Sequence, residues 1–307
     1  MATRRQRTYD RPSRMGPDRH MPTNAQEAER MAQGAGRMAE GAATSKWMVM
    51  LARLGYAIKG VVYLIIGLLA VQLAAGVGGK VTDQKGALQT ISDLPAGKLL
   101  MIVVTIGLFG YALWSFIQAI FDTEDKGKDA KGIIARIGYA VVGVGYASVA
   151  YGALQFITTS QVGGKNSTAN TQNWTALLLK QPFGVVLVVI AGLVVLGVAV
   201  YLFSKAYKAK FQYRLNLSSV NAQVKKAVIF LGRFGYAALG VVFTIIGLFL
   251  MVAASQHNAY EAKGLDGALQ ELAHQPFGPL LLGIVALGLV AYGVYSFVEA
   301  RYRRVGK

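Results

Sequence analysis

Apolar residues in this chain run in long unbroken blocks and do not alternate with polar ones. Six blocks stand out, about Leu54 to Ala75, Leu99 to Phe121, Ile133 to Ile157, Phe183 to Phe203, Ala227 to Ala254 and Phe277 to Val298. Each reaches the roughly 20 residues that a helix needs to cross about 30 Å of hydrocarbon. Continuous hydrophobicity selects helices over barrel strands, whose two faces alternate, and a helix pairs its own backbone groups in lipid. None of the blocks carries Asp or Glu in its middle. The pattern predicts an all-α membrane protein with six transmembrane helices.

The blocks repeat. Arg53-Leu54-Gly55-Tyr56-Ala57 recurs as Arg136-Ile137-Gly138-Tyr139-Ala140 and as Arg233-Phe234-Gly235-Tyr236-Ala237, each copy opening an odd-numbered block. Further in, Gly60, Gly143 and Gly240 align, then Tyr63, Tyr146 and Phe243, then Gly67, Ala150 and Gly247. Even blocks share Pro95, Pro182 and Pro276, each followed two residues later by Gly97, Gly184 or Gly278. Proline suits the first helical position, where its missing N–H costs nothing, so these prolines are expected to open the even helices. Gly86-Ala87-Leu88-Gln89 and Gly267-Ala268-Leu269-Gln270 match as short interfacial helices, while Asn166 to Asn173 departs from them. The chain thus reads as tandem hairpins in one orientation, with repeat 1 over 46–121, repeat 2 over 122–204 and repeat 3 over 205–303. Parallel repeats of this kind are related by an axis along the membrane normal, so a pseudo-threefold bundle is expected.

Separations of 3, 4, 3 and 4 put Arg53, Tyr56, Gly60, Tyr63 and Gly67 on one stripe of a helix. Gly107, Tyr111, Trp114 and Gln118 form the matching stripe of an even helix. It is echoed by Gly288, Tyr292, Tyr295 and Glu299, and only partly by Val194, Val198, Tyr201 and Lys205. Small residues let membrane helices approach closely, so Gly60, Gly67, Gly107, Gly143, Gly240, Gly247 and Gly288 are expected to be packing positions.

Composition sharpens the picture. Of 307 residues, 54% are hydrophobic and 15% charged, well under the roughly 25% charged of soluble domains. Lys and Arg number 25 on the side of the termini, counting Arg136 and Arg233 at the helix mouths, against 6 in the opposite connections. The positive-inside rule therefore predicts both termini in the cytoplasm. The net charge of +17 is thereby topological, and no aromatic-interleaved basic motif points to nucleic acid. The first block follows some 50 polar residues and lacks a cleavage pattern, so it reads as an anchor and not a removable signal. Residues 1–45, rich in Arg, Gln, Ala, Gly and Met, read as a disordered basic tail, with a Met-bearing repeat suited to lying on the inner leaflet.

The threefold Arg-x-Gly-Tyr-Ala-x-x-Gly signature, the Gly-Ala-Leu-Gln segments, the Gln-Pro-Phe-Gly segments (Gln181 to Gly184, Gln275 to Gly278) and Gly110-Tyr111-Ala112-Leu113-Trp114 resemble the bacterial membrane family called domain of unknown function 1206. The resemblance spans about residues 46–303. It implies three two-helix repeats in a bacterial inner membrane, and it brings no activity with it.

Candidate chemistry is sparse. Without Cys there are no thiol nucleophiles, disulfides or cysteine metal sites. His257 and His274 share a connection with Glu261, Asp266 and Glu271, which reads as a solvated loop and not a metal site. Gly76 to Lys80 and Gly163 to Lys165 lack the spacing and the following Ser or Thr of a phosphate loop. No cofactor is expected, and no nucleophile, base and orienting group assemble into an enzyme. Arg53, Arg136 and Arg233, each one turn from Tyr56, Tyr139 or Tyr236, read as positive-inside anchors with interfacial tyrosines. The sharper reading makes them a cationic ring for anionic lipid headgroups or a small anion. Lys59 is the one ionisable group well inside a block, and its counterparts Val142 and Leu239 are apolar. It lies about 9 Å inward of Arg53, close enough to snorkel to the interface. The leading expectation is a non-enzymatic structural or interaction module engaging anionic lipid. The alternative is a channel or transporter along the axis, lined by Lys59, the arginines and the three tyrosines.

Overall fold

In a computed structural model, residues 46–121, 129–217 and 220–303 are described. The expected disorder and leaflet contact of the N-terminal tail lie outside them. The elements, in order, are α1 (Lys46–Ala74), α2 (Gln84–Ser92), α3 (Gly97–Phe121), α4 (Ala130–Thr159), α5 (Ser167–Leu179), α6 (Gly184–Lys208), α7 (Ala222–Ser255), α8 (Leu265–His274) and α9 (Gly278–Tyr302), with 3₁₀ turns at Lys210–Arg214 and Ala259–Glu261. Six of these, α1, α3, α4, α6, α7 and α9, are long and apolar enough to span a bilayer. They form three parallel hairpins, α1/α3, α4/α6 and α7/α9, with α2, α5 and α8 lying between the members of each hairpin at the face opposite the termini. We call that the far face, and the face of the termini the basic face.

Local chemistry sets the helix ends. Asp83, Asp129, Asn166 and Asn221 each accept the backbone N–H three residues on, capping α2, α4, α5 and α7. The even helices start differently from the expectation. Pro95, Pro182 and Pro276 sit in the turn before the helix, not at its first position. The next residue, Ala96, Phe183 or Phe277, takes a left-handed φ of 62°, 61° or 60°, and the glycine after it opens the helix. A Cβ at Gly97, Gly184 or Gly278 would stand 2.0, 2.4 or 2.0 Å from a carbonyl oxygen of the preceding short helix. The glycine is therefore fixed by a close backbone approach, and the proline by the turn.

The spans are arranged in the order α4, α3, α1, α9, α7, α6, each packed on the next. The three seams between repeats share one construction. A Cβ on Gly60, Gly143 or Gly240 would meet the ring of Phe297, Phe116 or Phe203 at 3.0, 3.0 or 2.9 Å. These three phenylalanines are repeat equivalents, so the same ring fills the same glycine notch three times. Gly67 lies against Ala286 and Val290 of α9, and Gly247 against Gly192 and Leu196 of α6. The seams inside a hairpin are built twice. In repeat 1, Gly55 and Gly107 admit Tyr111 and Ile58; in repeat 3, Gly235 and Gly288 admit Tyr292 and Ala238. In repeat 2 the glycine equivalent to Gly107 is Val194, nothing lies within 4 Å of a Cβ on Gly138, and α4 and α6 are not a packed pair. Val141 and Val194 are 66% and 61% exposed within the chain. The sixth seam is open.

Candidate functional site

Side chains from all six spans converge where the helices surround the pseudo-threefold axis. The nearest thing to a centre is Lys59 on α1, which is 3% exposed. Its ammonium donates to Glu299 Oε2 at 3.1 Å and to the Tyr292 hydroxyl at 3.3 Å, both on α9. It also stands 4.9, 5.0 and 5.4 Å from the ring centroids of Tyr56, Tyr292 and Tyr111, within the range of cation–π attraction. Glu299, also 3% exposed, accepts a second bond from Arg303 at 2.9 Å. The Arg303 guanidinium covers the other side of the group, 4.8 Å from the Tyr56 ring.

Edge-to-face tyrosines carry this network across the bundle. Tyr111 joins Tyr56 to Tyr146 of α4 at 5.1 and 4.6 Å, while Tyr292 joins Tyr63 to Tyr236 of α7 at 4.9 and 5.4 Å. Tyr236 in turn meets Tyr295, and both meet Phe211 of the first 3₁₀ turn. Lys205 of α6 places its ammonium 3.9 Å from the Tyr236 ring. Tyr295 and Trp114, repeat equivalents, bury a hydroxyl and an indole N–H with no hydrogen-bond partner among the described residues.

The charged groups occupy the basic half of the axis. Toward the far face the buried groups are mainly apolar, Ile66, Met101, Val104, Leu108, Leu282 and Leu289, with Thr105, whose hydroxyl donates to the Met101 carbonyl of its own helix. Beyond them the starts of α2, α5 and α8 are tied together. Asp266 accepts from Ser167 Oγ, Thr168 N and Thr168 Oγ1 at 2.7, 2.9 and 2.6 Å. Leu265 N and Gly264 N donate to Ser167 Oγ and Thr168 Oγ1 at 2.9 and 3.0 Å, and Asp83 accepts from Ser167 N. One end of the axis is polar and the other is capped. Beside α4, a cavity of about 510 Å³ runs from Phe116, Val144 and Tyr151 to Asp83, Lys85 and Lys165.

The residues singled out from the sequence separate into groups. Tyr56 and Tyr236 lie in the network, and Tyr139, half-buried, accepts from Arg214 at 3.4 Å. Two of the three arginines are engaged with the backbone. Arg136 donates to the carbonyls of Ala119 and Ile120 at 2.7 Å each, and Arg233 to that of Ala206 at 3.0 Å. Those carbonyls end the even helix of the preceding repeat, so the guanidinium satisfies acceptors that a helix C-terminus leaves open. Arg53 is exposed. Lys59 does not snorkel: the carboxylate that neutralises it comes from the other end of the chain, 240 residues away. Among the described residues no three or more His, Asp or Glu side chains gather as a metal site, and His274 meets Gln270 at 3.3 Å. Sequence reasoning missed Phe116, Phe203 and Phe297, whose equivalence the repeat alignment contained. The equivalence of Gln118, Lys205 and Glu299 was read from the stripes, but not that Glu299 would meet Lys59.

Three segments, residues 54–122, 137–209 and 234–303, match the family Domain of Unknown Function (DUF1206). The chain belongs to this family. It is also 38% identical over 262 residues to the uncharacterized protein YxxB of Bacillus subtilis (strain 168), covering 85% of this chain and 94% of that protein. No solved structure matches the fold. The DUF1206 segments coincide with the three hairpins, and each spans one notched glycine, one facing phenylalanine and one polar position on the even helix.

Proposed function

We propose that this DUF1206 protein is a non-enzymatic carrier of a small ionic solute, set in the bacterial cytoplasmic membrane with both termini in the cytoplasm. The reading is carried by the convergence of side chains from all six spans on one buried, charged and hydroxyl-rich site at the axis. Packing alone has no use for it, because exchanging a buried ion pair for apolar side chains is often neutral or stabilising. Ionisable groups inside membrane proteins mark solute and proton paths. A purely structural module would suit a nearly apolar interior, and the buried Lys59, Glu299, Gln118 and tyrosines speak for a carrier instead. A polar basic half and a capped far end support a carrier open toward one side at a time over a continuous pore.

The test is flux. Purified protein in phosphatidylcholine liposomes is expected to give saturable, selective uptake of one class of small ion, reduced at least tenfold by Lys59→Met and by Glu299→Gln. Absence of flux for small anions and cations alike, together with tight co-purification of phosphatidylglycerol, would replace the carrier with the interaction module, whose partner is anionic lipid at the basic face.

A further inference from the structure

The repeat allows one position to be compared in three chemical versions. On each even helix a polar residue stands 23 places after the turn proline: Gln118, Lys205 and Glu299. The odd helix packed against it offers a tyrosine and, three residues later, Val142, Leu239 or Lys59. In the Glu299 version the charge is answered by Lys59 and Arg303. In the Gln118 version there is no charge to answer. In the Lys205 version the charge is present, and the place of its answer is taken by Leu239, which is 4% exposed.

Lys205 therefore has the Tyr236 ring face and, among the described residues, no hydrogen-bond acceptor or carboxylate within reach. The charges of Glu299, Arg303, Arg214 and Lys59 all act on it. The carboxylate among them is already shared by two cations. A half-buried ammonium in such surroundings lacks the water that would solvate it fully and the anion that would replace that water. Tyr295, whose ring lies 5.6 Å from that of Tyr236, adds a buried hydroxyl without an acceptor. Hairpin 2, which carries Lys205, is also the one whose seam is open, so the approach to this position is not closed by packing between α4 and α6.

We propose that Lys205 is the anchor of an anion site, completed by the Tyr236 and Tyr295 neighbourhood, and that its ligand is a small oxyanion of the phosphate or carboxylate class. An oxyanion supplies the acceptors that the ammonium and the hydroxyl lack, and charge-assisted hydrogen bonds are the strong ones. The inference rests on reading the axis as a solute site, but it does not require translocation.

Binding is measured calorimetrically with the full chain in phosphatidylcholine nanodiscs, using inorganic phosphate, acetate and, as a cation control, tetramethylammonium. Saturable binding of phosphate or acetate is expected, weakened at least tenfold by Lys205→Met and largely kept by Lys205→Arg. Leu239→Glu places beside Lys205 the kind of carboxylate that Lys59 already meets in Glu299, with acid and amine exchanged between the helices, and it is expected to abolish binding by satisfying Lys205 from within. Size-exclusion profiles identify any variant that fails to fold, and the arginine variant then decides. Retention of phosphatidylglycerol that depends on Lys205, without binding of free phosphate, identifies the oxyanion as a lipid headgroup. Equal binding by wild type and Lys205→Met, or no binding of any anion, overturns the proposal and leaves Lys205 as a packed amine. Anion binding without flux sinks the carrier alone.

Discussion

Hairpins 1 and 3 close on themselves and hairpin 2 does not, although all three begin with the same Arg-x-Gly-Tyr-Ala. The difference lies on the partner helix. Where α3 and α9 have Gly107 and Gly288, α6 has Val194, and where they have Tyr111 and Tyr292, α6 has Val198. Without a hydrophobic drive between helices in lipid, contact depends on how closely backbones approach and how well rings fill the space. Valine removes the notch, and the loss of the tyrosine removes the filler. A seam is therefore a property of two stripes, and the conserved-looking half in α4 cannot form it alone. The same hairpin carries the cation without a built-in partner, so the weakest packing and the least satisfied charge occur together.

Disulfide trapping tests the comparison most sharply, because the chain has no Cys to confuse it. Ala238 and Gly288 face each other so closely that a Cβ on the glycine would stand 2.3 Å from the alanine Cβ, and Gly107 faces Ile58 similarly. Oxidation is expected to cross-link A238C/G288C and I58C/G107C nearly completely and the equivalent V141C/V194C hardly at all, as read by gel mobility after proteolysis at a site introduced between the two long helices of each hairpin. Efficient bonding of the third pair would mean that hairpin 2 closes as the others do.

The next effect concerns the Lys59–Glu299 pair, the counterpart of the Lys205 position that meets a tyrosine ring instead of a carboxylate. Lys59→Met leaves Glu299 with Arg303 alone, and removal of one member of a buried pair is expected to cost about 3 kcal/mol, near the low end for such changes. The double variant Lys59→Met/Glu299→Met is expected to recover most of that loss. Unfolding in mixed detergent measures both. A single variant as stable as wild type would contradict the ion pair between the first and last spans.

Packing comes third. Gly60→Leu pushes a side chain into the Gly293 carbonyl and the Phe297 ring, and overpacking of this kind costs about 1–3 kcal/mol. Gly138→Leu enters open space and is expected to stay within about 0.5 kcal/mol of wild type, as surface changes do. Comparable losses at the two glycines would show that repeat 2 is packed after all.

Much of this architecture was legible because lipid imposes long apolar blocks and because the repeat marks equivalent positions by identical residues. Gly60, Gly143 and Gly240 were recognisable as notches since nothing else explains glycine in the middle of a helix. The phenylalanines that fill them were not, because one aromatic among many apolar residues carries no periodic signal. Lys59 was visible, but its partner was hidden by sequence distance: Glu299 meets it only once the last span packs on the first. The arginines were visible by their regular spacing, but not the local contacts of two of them: Arg136 and Arg233 each donate to carbonyls that end the helix before them. Lys205 was already aligned with Glu299 by the repeat, and the geometry adds that one meets a tyrosine ring where the other meets two cations.

The smallest effect distinguishes the short helices of the far face. In repeat 3, Lys263 donates to Glu271 at 2.7 Å, and this bond holds the Glu271 carboxyl below its ordinary range. The equivalent of Glu271 in repeat 1 is Thr90, which bonds back to the Gly86 carbonyl of its own helix at 3.0 Å and does not titrate. A carboxyl with a depressed folded pKa stabilises the fold fully above its unfolded value, near 4.3, and loses that contribution as pH falls through the folded value. The pair is partly solvated, with both side chains 26% exposed, so it is worth under about 1 kcal/mol. Glu271→Gln is therefore expected to melt slightly below wild type at pH 7, with the gap narrowing below about pH 4, whereas Thr90→Val shifts the melt equally at both pH values. A gap that persists undiminished at pH 3 would assign the effect to lost packing and not to the charge.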